Sequence, residues 1–143
     1  MSIINKINKN SSTYIIAEIG FNHLGKLSLA EKMIKAASNS GANAVKFQTF
    51  LPEEMVFKKS KHYNLIKNKN LKREEYLKLK KISRHYKMDF FSTPFDLESL
   101  KLLESVGVSH YKIASMDLNN FLLLNLISKT GKPVLLSTGM SNI

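Results

Sequence analysis

Ala44-Val45-Lys46-Phe47-Gln48-Thr49-Phe50 is an apolar run of strand length with a lysine inside it. Side chains alternate along a strand, so Val45 and Phe47 share one face and Lys46 and Gln48 the other. Val45 and Phe47 suit packing against helices, which turns Lys46 to the opposite side. A lysine buried there is costly unless an anion meets it. The run reads as a strand whose helix-free face binds something charged.

Outward from this strand, the pattern alternates. Tyr14-Ile15-Ile16-Ala17-Glu18-Ile19 is a short apolar run with one acid near its end. Between the two runs, Ser28 to Ser40 has helical spacing, with Leu29, Met33, Ala36 and Ala37 on one face. Ser28 is the expected N-cap, with Glu31 completing a capping box, and Gly41 closes the helix. A long connection runs from Leu51 to about Lys72. Glu74 to Tyr86 then reads as a helix with Tyr76, Leu77, Ile82 and Tyr86 as its apolar contacts. Asp89 to Thr93 is a third strand. Leu97 to Val106 is a helix closed by Gly107. Ser109 to Ser115 is a fourth strand, Asn120 to Thr130 a helix closed by Gly131, and Pro133 to Thr138 a fifth strand.

Strictly alternating strands and helices imply parallel strands joined by right-handed crossovers. The chain has no G-x-G-x-x-G after its first strand and no Walker motif, which weakens a doubly wound nucleotide-binding fold. The remaining large class is the parallel (β/α)8 TIM-type barrel, of which about the first five strands and four helices are expected here. The strands begin apolar and end polar, at Glu18, at Lys46, Gln48 and Thr49, at Ser92 and Thr93, at Lys112 and Ser115, and at Ser137 and Thr138. Barrel active sites lie at the C-terminal mouth, so these side chains are expected to converge on one cup.

Composition narrows the class. The chain has 143 residues, enough for one domain or part of a larger one, and 43% of them are apolar, enough for a sizeable core. There are no cysteines, which excludes a disulfide framework and any Cys-ligated metal site. No apolar run approaches the roughly 20 residues needed to span a bilayer. Residues 1–13 are expected to be a polar extension ahead of the barrel part, residues 14–143. The stretch Met1 to Ser12 is polar and Asn-rich and lacks the apolar core of a signal peptide, so the expected location is cytoplasmic.

The net charge is +11, but ten lysines and two arginines fall between Lys58 and Lys87 against only Glu74 and Glu75. No glycine or aromatic interleaving of the RNA-recognition type accompanies them, which argues against nucleic acid and for a solvated lysine-rich face. Lys46 and Lys112 stand apart, because each lies inside a strand. Two lysines near one mouth need an anion; a ligand with separate carboxylate and phosphate would serve, and Thr93, Ser115 and Ser137 could add hydroxyl donors around such a phosphate. Glu18 could pair with either lysine. His62, His85 and His110 lack metal-ligand spacing and read as surface or packing residues. His23 sits in a short polar loop, and Asp96 is as well placed to be an N-cap as a ligand.

The motifs, taken in order, resemble those of the sialic acid synthase family. Glu18-Ile19-Gly20-Phe21-Asn22-His23-Leu24-Gly25 is similar to its E-I-G-x-N-H-x-G signature. Lys46-Phe47-Gln48-Thr49 resembles its K-F-Q-T strand, and Ser92-Thr93-Pro94-Phe95-Asp96 its S-T-P-F-D turn. Tyr111-Lys112-Ile113-Ala114-Ser115, then Gly131-Lys132-Pro133 through Ser137-Thr138-Gly139-Met140, complete the series. One departure is Leu122, where relatives often carry proline.

The resemblance implies a condensation of phosphoenolpyruvate with the open-chain aldehyde of an N-acyl aminosugar, such as N-acetylmannosamine or its 6-phosphate. The product is a nine-carbon 2-keto acid, and phosphate leaves. Lys46, Thr93, Lys112 and Ser115 would hold the carboxylate and phosphate, with Ser137 supporting the phosphate side. Glu18 would handle protons or position water. Gln48, Phe95 and Asp117 would contact the sugar, and Asn22 and His23 would line the same mouth. The family uses a divalent metal, manganese or magnesium, held by histidines on later strands, so no metal ligand is expected in this chain. A homodimer is expected for full-length members, where an antifreeze-like domain closes the partner's site. Those later strands and that domain are not in the sequence, which reads as an N-terminal fragment, a truncated gene or one piece of a split protein, with little or no turnover expected of it alone. The alternatives are another phosphoenolpyruvate-condensing barrel and a non-catalytic fragment that grips an anionic partner with its lysine-rich insert.

Overall fold

In the computed structural model, residues 3–8 and 13–142 are described. Five strands form one parallel sheet in sequence order: β1 Ile16–Gly20, β2 Ala44–Thr49, β3 Asp89–Pro94, β4 Tyr111–Ile113 and β5 Val134–Leu136. The helices are α1 Ile3–Asn8, α2 Leu27–Asn39, α3 Pro52–Met55, α4 Tyr63–Ile66, α5 Arg73–His85, α6 Leu97–Val106 and α7 Phe121–Ser128. This is the expected run of β/α units from a TIM-type barrel. β1 and β5 form the two edges of the sheet.

The core lies between the sheet and its helix layer. Val45, Phe47, Phe90, Tyr111 and Ile113 supply the sheet side. Ile34 of α2, Leu79 of α5, Leu103 of α6 and Ile127 of α7 supply the helix side, all buried in one cluster. Phe47 is its aromatic centre, 5.3 Å from Phe90 and 6.4 Å from Tyr76 between ring centroids. Strand alternation then sends Lys46 and Gln48 to the other, inner face, as expected from the sequence.

Several boundaries differ from the sequence reading. α2 starts a residue before Ser28: Lys26 is its N-cap, and no side chain caps the helix. α5 has the reciprocal bond instead, with the Lys72 amide donating to Glu75 Oε2 at 2.6 Å. The connection from Leu51 to Lys72 contains the single-turn helices α3 and α4. α6 matches its expected span, and Gly107 closes it in the left-handed region at φ +72°.

The polar N-terminal extension is also not featureless. Its α1 buries Ile3 and ties to the N-terminal end of β3, where Lys6 Nζ reaches both Asp89 carboxylate oxygens at 2.7 Å. The Tyr14 hydroxyl donates to the same carboxylate. The rest of that extension, residues 1, 2 and 9–12, lies outside the described residues. Among the described residues, no helix is long and apolar enough to cross a membrane.

Truncating the aromatic centre tests the layer. Phe47→Ala is expected to destabilise the chain by about 3–5 kcal/mol, the usual cost of a buried aromatic cavity. The measurement is the urea midpoint at unchanged m-value; a shift below about 1 kcal/mol would place Phe47 outside the cooperative core.

Candidate active site

The inner face gathers its charge around Lys46. β1 and β2 pair in register with Glu18 opposite Lys46, and the two side chains form an ion pair. β2 and β3 set Gln48 opposite Thr93, and Lys46 Nζ donates to Thr93 Oγ1 at 3.4 Å. Lys46 is only 8% exposed; Glu18 of β1 neutralises its charge and Thr93 of β3 accepts a hydrogen bond from it. Lys112 lies on β4, two strands from Lys46. It donates to the Ile113 carbonyl at 2.7 Å and to the Ser137 hydroxyl. It is half-buried rather than buried. Burial first, and then the positive charge of Lys46, hold its pKa below the usual lysine value, while Glu18 opposes that shift.

Gly20 shows why the first strand ends as it does. Its φ is +58°, and the pairing register shifts between Glu18 and Gly20. A Cβ there would sit 3.2 Å from Glu18 Oε1 and 3.5 Å from Gln48 Oε1. The bulge thus brings the acid of β1 and the amide of β2 to one glycine at the mouth. Ser115 opens the 3-10 turn Ser115–Asp117 after β4, and Gly139 runs close to it: a Cβ on Gly139 would lie 3.7 Å from Ser115 Oγ.

Other residues expected at the mouth go elsewhere. His23 is a correction. It is 1% exposed and its ring lies 5.8 Å from that of Phe47, on the helix side of β2 and away from Lys46. Its Nδ1 accepts from the Gly25 amide at 3.1 Å, and burial lowers its pKa against an opposing effect of Glu75. Apolar packing, not solvent, sets its position. Asn22 is exposed in the turn after β1. Thr49 and Ser92 also leave the cup. Their hydroxyls bond each other at 2.8 Å, and Thr49 donates to the Tyr76 hydroxyl at 2.9 Å, because both strands turn these positions to the helices. Tyr76, which the sequence reading treated only as an apolar contact, anchors this polar chain, and burial pushes its phenol up to about 12.

Phe95 closes an edge-on aromatic series, 6.5 Å from Phe50, itself 5.7 Å from Phe21. Asp96 is the N-cap of α6: Oδ1 accepts from the Ser99 amide and Oδ2 from the Leu51 amide, both at 2.7 Å. Asp117 is buried, accepts from Asn120 Nδ2 at 3.2 Å, and keeps Oδ2 without a partner. Among the described residues, no three His, Asp or Glu side chains cluster in a way that could hold a metal ion. The described residues thus do not fit a metal site.

One inner-face residue escaped the sequence reading as more than packing. His110 is 1% exposed and its ring lies 4.0 Å from that of Phe91, which pairs with Lys46 in the sheet register. Its Nδ1 meets Ser109 Oγ at 2.9 Å, and its Nε2 has no partner.

The model of the NeuB family matches residues 33–143. The chain is 41% identical to the N,N'-diacetyllegionaminic acid synthase of Campylobacter jejuni, over 92% of this chain and 43% of that protein. It is 34% identical to the N-acetylneuraminate-9-phosphate synthase of Drosophila melanogaster, over 92% of this chain and 39% of that one. The crystal structure of a sialic acid synthetase from Leptospira borgpetersenii superposes with a TM-score of 0.88 at 41% identity, over 93% of this chain and 47% of that one. The chain belongs to the NeuB family and shares the fold of that sialic acid synthetase structure. It spans less than half the length of these relatives.

Burial holds the His110 pKa down to about 4; Asp89 works against the shift and Lys6 with it. The unfolded chain therefore binds this proton first. Stability is full above about pH 6.5, falls as pH drops from 6.5 toward 4, and levels below that. The loss from this residue is on the order of 3 kcal/mol. His110→Gln should flatten the urea midpoint across that window; an unchanged slope would move the acid sensitivity to another group.

Proposed function

We propose that this chain carries the phosphoenolpyruvate-binding part of a sugar acid synthase that condenses this substrate with an N-acyl aminosugar. One observation carries the reading. Lys46 and Lys112 reach the same sheet face from strands two apart, and among the described residues the one carboxylate that pairs there is Glu18. Two lysines against one carboxylate leave a net positive charge on that face, with Thr93 and Ser137 hydroxyls beside it, a setting that favours an anionic ligand. The names of the relatives, one a legionaminic and one a neuraminate phosphate synthase, support the acceptor class without selecting one sugar.

In this reading Lys46 and Thr93 hold one anionic end of phosphoenolpyruvate, and Lys112, Ser115 and Ser137 hold the other. Each contact is a charge-assisted or hydroxyl hydrogen bond to an oxygen that carries charge throughout. The substrate's methylene carbon then forms a bond to the aldehyde carbon of the sugar, whose oxygen takes up a proton. Water adds to the carbon that bears the phosphate, giving its proton to Glu18. The bond from that carbon to the phosphate oxygen then breaks: phosphate leaves with the electron pair and takes the proton of the adduct's hydroxyl, which becomes the 2-keto oxygen, while the proton held by Glu18 is the one that the former aldehyde oxygen takes up. In the same reading Gln48, Phe95, Asp117 and Asn22 would contact the sugar. A divalent metal that polarises the aldehyde oxygen belongs to the expected reaction, with ligands outside these residues.

Two measurements bear on this. Phosphate release from phosphoenolpyruvate should require an N-acyl aminosugar when the protein is assayed at its full natural length. No release with any of several free and 6-phosphorylated N-acyl aminosugars would overturn the assignment. In calorimetry, Lys112→Ala should weaken phosphoenolpyruvate binding roughly 10- to 100-fold, the loss of one charge-assisted hydrogen bond of ~1.5–3 kcal/mol. Unchanged affinity would remove Lys112 from the phosphate site.

A further inference from the structure

A second concentration of cations lies on the helix layer, with the sheet between it and Lys46. Lys32 and Lys35 stand one turn apart on α2, and Lys78 and Lys81 one turn apart on α5. All four line one open groove of about 690 Å³ between the two helices. Ile82 and the Tyr86 ring give the groove an apolar side. His85 packs edge-on to Tyr86, 5.2 Å between ring centroids.

The charges there are not balanced. Glu31 is the only acid lining the groove, and it is taken by Lys78 at 2.9 Å. Among the described residues, Lys32, Lys35 and Lys81 have no carboxylate within ion-pair distance. Like charges one turn apart on a helix repel by a few tenths of a kcal/mol per pair. Two such pairs facing across one groove add to that cost, and a multiply charged anion between them would reverse it.

We propose that this groove binds a compact ligand carrying clustered phosphates, with the lysines on the phosphates and the Tyr86 face available to a planar group. The volume falls within the ~300–1,000 Å³ of small-molecule sites. An extended nucleic acid would instead need cations laid out along a track. Lys58, Lys59, Lys61, Lys67 and Lys69, which could form one, do not line this groove. The site stands apart from the catalytic reading, since none of its residues reaches the inner face.

The test is calorimetric titration of the 143-residue chain with inorganic tripolyphosphate, ATP, orthophosphate and a single-stranded RNA, at moderate salt. Tripolyphosphate is expected to bind one per chain, well above orthophosphate. Lys32→Glu with Lys81→Glu, both exposed positions, should weaken it roughly tenfold or more, about 1.4 kcal/mol. Lys58→Glu with Lys61→Glu changes the net charge equally outside the groove and should change affinity less than about twofold. Circular dichroism checks that both variants fold. Tighter ATP binding that Tyr86→Ala abolishes would support the site and seat a base on the ring; equal ATP and tripolyphosphate affinities would support it as a pure phosphate site. An equal loss in both double variants, no saturable tripolyphosphate binding, or binding of RNA alone would each overturn the proposal. Phosphoenolpyruvate affinity should be the same in Lys32→Glu/Lys81→Glu as in the parent chain, which separates this outcome from failure of the catalytic site.

Discussion

The ion pair between Lys46 and Glu18 is the constraint around which the mouth is organised. A buried lysine without a counter-charge costs several kcal/mol, so the strand carrying it needs a carboxylate at a fixed height on its neighbour. Parallel pairing of β1 with β2 supplies that height by setting Glu18 opposite Lys46. The chain must then turn away at once, which the left-handed Gly20 and the register shift beside it allow. On the other side of β2, the register brings Thr93 within reach of the same ammonium. Three sequence motifs that lie far apart in the chain are thereby one electrostatic unit.

The alternation that turns Lys46 inward turns Phe47 outward, and the helix layer depends on that ring. Phe47 contacts Phe90, Tyr76 and His23, so the loop after β1, the strand β3 and the helix α5 meet on one side chain. The polar groups that enter this layer arrive already bonded. Thr49, Ser92 and Tyr76 satisfy one another, and Asp96 ties the start of α6 to the Leu51 amide just after β2. A strand-end hydroxyl is therefore no sign of a binding site until its face is known. At the opposite end of the sheet, Asp89 binds Lys6 and Tyr14, which fastens α1 beneath the inner face.

The fold was legible because strand parity and helix spacing both survive in a single sequence. Val45, Phe47 and Lys46 obey that parity without exception. The same parity would have withdrawn Thr49 and Ser92 from the cup: each sits two residues from a core aromatic, Phe47 or Phe90. His23 could not be read that way, because a turn has no period, and its burial depends on Phe47 and α5 closing over it. The capping pattern at Ser28 was outcompeted by a start at Leu27, two residues after the left-handed Gly25. Ile3–Asn8 is too short to announce a helix, and its stability comes from Asp89, 83 residues from Lys6 in the chain.

The positive charge of the chain also divides by environment rather than by number. Lys46 is buried and paired, so added salt screens its interaction little. Lys32, Lys35 and Lys81 are exposed, and any anion they hold competes with bulk ions. Binding at the inner face should therefore be governed by geometry and desolvation, and binding at the outer groove by ionic strength. An anion on the inner face meets two lysines that are already oriented, one by Glu18 and Thr93 and one by Ser137. On the helix layer no comparable framework holds Lys32, Lys35 and Lys81, so only a ligand of higher charge density can offset the entropy of ordering their side chains.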